Sequence, residues 1–341
     1  MGKTDIPYCD MTWDLSIGCR KRSPGCDHCW ATNTVYRLAC KGVHGYGAEM
    51  EANREHQTNW DQVDSEGRNW LLPPAVNLFR WNLVQPLGWR KPQVIFVNSK
   101  SDLFDERVPF ELIAAAFDVM ARCRWHRFLV LTKEPERMVE FITDYAALGR
   151  QRQVGVAWPE DFPHVALAVS VEGPQYLGRV EILLATPAMM RLVSFEPLLE
   201  PVAAEFRALL QANLGSGMGT RIDGIILGCE KRLGGSAGRW AGEEPEAWWG
   251  AAALLAQVCS KTEPPIAVWV KQGPVVRKDR IIVSNAVADF PSNCGRQEFP
   301  KGMQVPSKME RIQQCCASVK TIRSCGPVRD RSRSRPGAVS T

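Results

Sequence analysis

The chain has no run of about 18 uninterrupted apolar residues, so the sequence offers no membrane-spanning helix. Its first residues, MGKTDIPYCD, lack the charged-then-apolar pattern of a leader, and Gly2 is not followed by the Ser or Thr of a myristoylation signal. Neither secretion nor lipid anchoring is expected from them, and a cytoplasmic location is. Any excess of one sign of charge is small as well. The formal net charge is +5 over 341 residues, and much of the excess falls between Arg311 and Arg335. The part before it is closer to neutral, so global charge gives little reason to expect nucleic acid. No repeat is visible beyond an alternation of strand and helix, which sets aside solenoids and arrays.

Cysteine, by contrast, is plentiful. Twelve cysteines in a reduced compartment are more readily metal ligands or redox groups than disulfides. Three of them, Cys19, Cys26 and Cys29, lie at C-x6-C-x2-C spacing around a Pro24-Gly25 turn. Two thiolates separated by two residues can converge on one metal centre, and the turn lets Cys19 fold back towards them. Three ligands leave one position open, which a reactive metal site needs. The loop is therefore a candidate [4Fe-4S] site, with a structural zinc site closed by His28 as the alternative. Cys40, Cys123 and Cys259 fall in helical stretches and read as core residues. A second cluster built from Cys294, Cys315, Cys316 and Cys325 is a further alternative.

From Thr12 to Pro274 short β-rich runs alternate with helical stretches, the pattern of an α/β protein with a parallel sheet. Expected strands are Thr12 to Gly18, Val94 to Asn98, Phe128 to Thr132, Val165 to Val171, Arg191 to Phe195, Gly224 to Leu227 and Ala267 to Val270. Expected helices are Pro109 to Arg122, Glu134 to Ala147, Pro174 to Leu184 and Glu244 to Val258, with Pro73 to Leu87 amphipathic. The polar, Gly- and Asn-containing stretch from Lys41 to Arg68 reads as an excursion or lid. A hairpin is expected around Arg277-Lys278-Asp279. The segment Arg329 to Pro336 is low-complexity and reads as disordered, with contact to RNA or DNA as the sharper alternative.

The strand ends carry the chemistry. Asn98, Ser99, Lys100 and Asp102 follow one apolar run, and Lys133 follows the next. Ser170 and Glu172, Ser194 and Glu196, Glu230, and finally Lys271 and Gln272 close the others. In a parallel barrel such C-terminal ends open on one face, where active sites lie. Lys100 could bind an anion, or pair with Asp102 and merely shape the loop. Glu172 and Glu196 could hold ribose hydroxyls, or pair with Lys133, Arg191 or Lys271. For Trp13, Trp30, Trp240, Trp248, Trp249 and Trp269, core packing is the default.

Several of these segments resemble one family. Met11-Thr12-Trp13-Asp14 leading to Gly18-Cys19, then Ser23-Pro24-Gly25-Cys26-Asp27-His28-Cys29, is similar to the opening of the phage Gp37/Gp68-like proteins, a three-cysteine-motif domain of unknown function (DUF5131). The blocks FVNSKSDLF from Phe96, LVLTK from Leu129, AVSVE from Ala168, VSFEPLL from Val193 and WVKQG from Trp269 agree in order. That family resembles radical S-adenosylmethionine enzymes. The resemblance implies a partial or complete (β/α) barrel over residues 1–300, with the insertion near 41–70 and a disordered basic tail over 301–341. It further implies a [4Fe-4S] cluster on Cys19, Cys26 and Cys29, and S-adenosyl-L-methionine held at the strand ends named above. The cluster would cleave that cofactor to a 5′-deoxyadenosyl radical. Cys229 stands where the family has glycine, and Trp30 where it has tyrosine. Nucleic acid, as substrate or as the ligand of a metal-stabilised binding protein without radical chemistry, is a candidate partner. A protein encoded nearby is another, and a membrane is not expected.

Overall fold

A computed structural model describes residues 3–41, 43, 77–78, 82–149, 157–215, 220–232, 235–277, 280–291, 294, 297–300 and 303–304. The excursion expected over 41–70 lies almost wholly outside the described residues, as do the tail beyond residue 304 and the cysteines Cys315, Cys316 and Cys325. Residues Met1–Val305 form one compact unit. No helix among the described residues is long and apolar enough to cross a membrane.

Eight strands form one sheet. They are β1 (Met11–Trp13), β4 (Val94–Val97), β5 (Arg127–Thr132), β6 (Val165–Ser170), β7 (Arg191–Phe195), β8 (Gly224–Gly228), β9 (Ala267–Arg277) and β10 (Arg280–Ser284), and they pair in that order. Neighbours from β1 to β9 run parallel, while β10 folds back antiparallel on β9 as the expected hairpin. Among the described residues no pairing joins β1 to the far edge, so closure into a barrel is not observed. The stretch expected as a single first strand is divided. Chain direction changes after Trp13, and β2 (Ser16–Ile17) pairs instead with β3 (Asn77–Leu78).

Helices follow the strands as α1 (Trp30–Cys40), α2 (Gln85–Gly88), α3 (Phe110–Arg122), α4 (Pro135–Gly149), α5 (Gly178–Ala185), α6 (Ala203–Gly215), α7 (Arg239–Glu243) and α8 (Pro245–Ser260). Pro135 and Pro245 begin their helices, where the missing N–H costs nothing, and extended Pro109 precedes Phe110. The helix expected from Pro174 is split, a short 3-10 turn at Pro174–Tyr176 preceding α5.

Side chains alternate across a strand, and that alternation sorts the core. Ile95, Val97, Phe128, Val130, Val165, Leu167, Val193, Ile225 and Val268 join the cluster that also holds the helix residues Ile113, Phe117, Phe141, Leu183, Phe206 and Trp248. Their neighbours Val94, Phe96, Leu129, Ala166, Ala168, Leu192 and Ile226 form a second cluster on the other face, closed by Tyr8, Cys9 and Met303. Helices α3 to α8 thus cover one face, and the N-terminal segment with residues near 299–303 covers the lower part of the inner face. Cys123 and Cys259 are fully buried in the helix-side core.

Candidate active site

Continuing the inner-face row past the apolar positions places the polar strand ends. Positions 94 and 96 lead to Asn98, 129 and 131 to Lys133, 166 and 168 to Ser170 and Glu172, 192 to Ser194 and Glu196, 226 to Gly228 and Glu230, and 269 to Lys271. These groups gather around a cavity of about 1330 Å³. Cys19, Cys26 and Cys29 line the same cavity, together with Asn98, Ser99, Lys100, Asp102, Lys133, Ser170, Ser194, Glu196, Glu230, Lys271 and Gln272. Glu172 alone of the expected set is not on its wall. It lies behind it, 1% exposed.

Glu172 anchors the cysteine loop. It pairs with Lys133, accepts a hydrogen bond from Ser23 Oγ at 2.6 Å and another from Arg179 at 3.1 Å. Lys133 Nζ also donates to Ser23 Oγ at 3.0 Å. Burial pushes the Glu172 carboxyl up, but the Lys133 charge and hydrogen bond, with Ser23 and Arg179, more than offset it and hold the group below its ordinary value. Gly25 is packed so closely here that a Cβ would lie 2.6 Å from Glu172 Oε1. Gly18, with φ of 88°, takes the left-handed backbone that turns the chain into Cys19.

Across the cavity Arg239 grips Glu230 through both carboxylate oxygens and donates to the Pro24 carbonyl at 2.7 Å. It stands 3.5 Å from Asp27 as well, so the loop after β8 and the cysteine loop are tied together. Lys271 pairs with Glu196, spanning β8 between them. Two features permit this. A bulge opposite Leu227 and Gly228 leaves Lys271 outside the regular register, and Gly228 has no side chain to block the crossing, since a Cβ there would lie 3.1 Å from Glu196 Cγ.

Lys100 does not pair with Asp102. Its Nζ donates to Asp14 Oδ2 at 2.5 Å, and Ser99 Oγ donates to Asp14 Oδ1 at 3.0 Å. Asp102 is instead consumed by Thr132 Oγ1 at 2.7 Å and by the Lys133 and Phe104 amides at 2.8 and 3.0 Å. Asn98 braces the turn before the cysteines, accepting from the Leu15 amide and donating to Ser16 Oγ, both at 2.7 Å. Arg191 reaches the Leu183 and Thr186 carbonyls rather than either glutamate. Gln272 donates to the Cys229 carbonyl at 2.8 Å, and the Cys229 side chain is buried on the cavity wall.

Burial pushes the Cys19 thiol well up, and the neighbouring Cys29 and Cys26 push it further. Among the described residues no three His, Cys, Asp or Glu side chains gather around one point as a single metal ion requires. His28 Nε2 stands 4.0 Å from Glu230 Oε1. One zinc would need its thiolates about 2.3 Å from a common centre. In a [4Fe-4S] cluster each cysteine binds a different iron, so its thiols need not meet at one point. One further group faces the cavity without a partner. Ser194 Oγ is buried with no hydrogen bond among the described residues, on the strand position paired with Ser170. A polar ligand would satisfy it.

Arg239, Arg179, Asp14 and Ser23 were not among the residues expected from sequence. Asp14 alone carries a local signal, since it continues the inner-face row from Thr12.

Residues 3–279 match the family described as "Protein of unknown function (DUF5131)". No curated protein matches the chain. Two solved structures do, a cysteine-to-serine mutant of spore photoproduct lyase and spore photoproduct lyase complexed with dinucleoside spore photoproduct. Each has 10% identity and a TM-score of 0.41, covering 94% of this chain and 75% of the other.

Proposed function

We propose that this chain, which belongs to the DUF5131 family of proteins of unknown function, is an enzyme of the radical S-adenosylmethionine type. Cys19, Cys26 and Cys29 would hold a [4Fe-4S] cluster, and the polar inner face would hold S-adenosyl-L-methionine. When bound, such a cluster supplies the electron that cleaves this cofactor to methionine and a 5′-deoxyadenosyl radical. The observation that carries the reading is the placement of the three-thiol loop on the wall of a cavity at the C-terminal ends of parallel strands, where ionic pairs and the unsatisfied Ser194 hydroxyl await a ligand.

The chain's own residues have distinct tasks in this scheme. Glu172, Lys133 and Arg239 fix the cysteine loop at Ser23, Gly25 and Pro24. Ser170 and Ser194 offer hydroxyls to ribose or to the amino acid part of the cofactor. Glu196 with Lys271, and Lys100 held by the buried Asp14, would offer both charges to its ammonium and carboxylate. Tyr8 and Cys9 close the apolar floor, which keeps water from below.

Anaerobic reconstitution with iron and sulfide tests this. The expected product is a brown protein whose visible absorbance is lost when Cys19, Cys26 and Cys29 are all changed to Ala, and which yields 5′-deoxyadenosine on reduction with S-adenosyl-L-methionine. A colourless protein holding stoichiometric zinc, or a loaded protein that yields no 5′-deoxyadenosine, would overturn it.

A further inference from the structure

We infer that the mouth of the cavity receives a single-stranded nucleic acid, one base stacking on Trp30 and neighbouring phosphates resting on Arg37, Lys231 and Lys3. As the substrate of the cavity, this strand rests on the enzymatic reading above; as a ligand of the mouth, it can be tested without it.

Trp30 is 47% exposed, although core packing is the default for tryptophan. Trp13 and Trp248 are fully buried, and Trp125, Trp158 and Trp249 spend their indole N–H on backbone carbonyls. Trp30 instead opens α1 directly after Cys29, and Trp30, Thr34 and Arg37 all line the cavity. Their spacing of four and three residues sets them along one helical face. An exposed indole with an arginine two turns away is a stacking platform with a phosphate contact beside it.

The charges at the mouth differ from those deeper in. Lys100, Lys133 and Lys271 each have a carboxylate, and Arg20 and Arg22 at the rim are matched by Glu106 and Glu134. Lys3, Arg37 and Lys231 line the cavity, are exposed, and have no ion pair among the described residues. Asp5 lines the same cavity, exposed and without an ion pair among the described residues. Among these exposed, unpaired groups of the described residues the surplus is cationic. It comes from three separate segments, the N-terminal stretch, α1 and the loop after β8 that Arg239 ties to Pro24. Cations so dispersed suit a chain of phosphates better than one. The cavity also exceeds the roughly 300–1,000 Å³ common for small-ligand sites.

The test is equilibrium binding of a fluorescein-labelled oligothymidylate of about 12 nucleotides to the full chain, metal-free and reconstituted, across a salt series. Trp30→Ala should weaken binding roughly 5- to 150-fold, the loss of one stacked base, while Trp30→Phe retains most of it. Arg37→Gln and Lys231→Gln should each flatten the plot of log affinity against log salt by about 0.7. Arg207→Gln, an exposed arginine outside the cavity, should bind as the parent does. Absence of binding at low salt would overturn the inference. So would parent-like binding by both Trp30→Ala and Arg37→Gln, which would place the strand elsewhere, and so would thymidine monophosphate binding as tightly as the strand. Strand binding by a protein that takes up no iron would sink the enzymatic reading alone. A loaded protein that makes 5′-deoxyadenosine but binds no strand would sink this one alone.

Discussion

Glu172→Gln isolates what holds the cysteine loop. The substitution keeps size and the ability to accept from Ser23, but removes the charge facing Lys133 and Arg179, whose side chains are only 18% and 11% exposed. Breaking a buried pair by deleting one partner costs about 3–5 kcal/mol. Both cations keep some access to water, so the lower end applies, about 3 kcal/mol. Urea denaturation of the metal-free protein at pH 7 would read this as a lower midpoint at unchanged slope. Adding Lys133→Met to the variant removes the stranded cation, and the double variant should regain at least about 1 kcal/mol. The sign with pH is fixed by the depressed Glu172 carboxyl. Its stabilisation is complete above the ordinary value of 4.5 and lost as pH falls through the lower folded value, so the penalty of Glu172→Gln should shrink in acid. A Glu172→Gln protein within about 0.5 kcal/mol of the parent, or a double variant with no recovery, would refute the assignment of Glu172 as the anchor.

Three other perturbations follow from the same geometry. Arg239→Met strands Glu230, 2% exposed, at a cost of about 3 kcal/mol, and frees the loop at Pro24; alkylation of Cys26 and Cys29 by iodoacetamide should accelerate, with Glu230→Gln in the same chain restoring stability but not the slow alkylation. Gly25→Ala pushes a methyl into Glu172 and should lower iron bound per chain after reconstitution while far-ultraviolet circular dichroism stays unchanged. Burial holds His126 and His164 down to about 4 from an ordinary 6.5, so stability should be full above pH 6.5 and decline between 6.5 and 4 by up to about 1.4 kcal/mol per unit for each; His126→Asn with His164→Asn should flatten that decline in a pH series of urea midpoints.

Much of the architecture was legible because parallel strands covered on both faces read as continuous apolar runs, and Arg191–Phe195 is bounded as the sequence suggests. The site was legible through phase, since the inner row turns from apolar to polar without changing parity. Partners were harder to read. Nothing local joins Asp14 to Lys100 across 86 residues, or Arg239 to Pro24 across 215. Lys100 near Asp102 looked like a pair, yet three donors had already claimed Asp102. The first strand was read too long because Ser16–Ile17 is extended but pairs with Asn77–Leu78, far along the chain. Helix bounds were less legible than strand bounds. Trp30–Cys40 is legible at Cys40 but its start lies inside the metal-motif context, Ala203–Gly215 has no proline at its first turn to announce it, and Arg239–Glu243 is barely more than one turn long.

The crossing of Lys271 over Gly228 to Glu196 has a consequence for how the protein meets solvent ions. With this pair, Lys100 on Asp14 and Arg239 on Glu230, the inner wall has its cations matched by carboxylates and little monopole to attract counterions. A ligand that carries both an ammonium and a carboxylate, as proposed for this wall, would be matched locally, and its affinity should be nearly indifferent to ionic strength. The rim, with its surplus of cations, should respond steeply. One vestibule then holds two electrostatic regimes, and added salt would separate a ligand of the wall from a ligand of the rim.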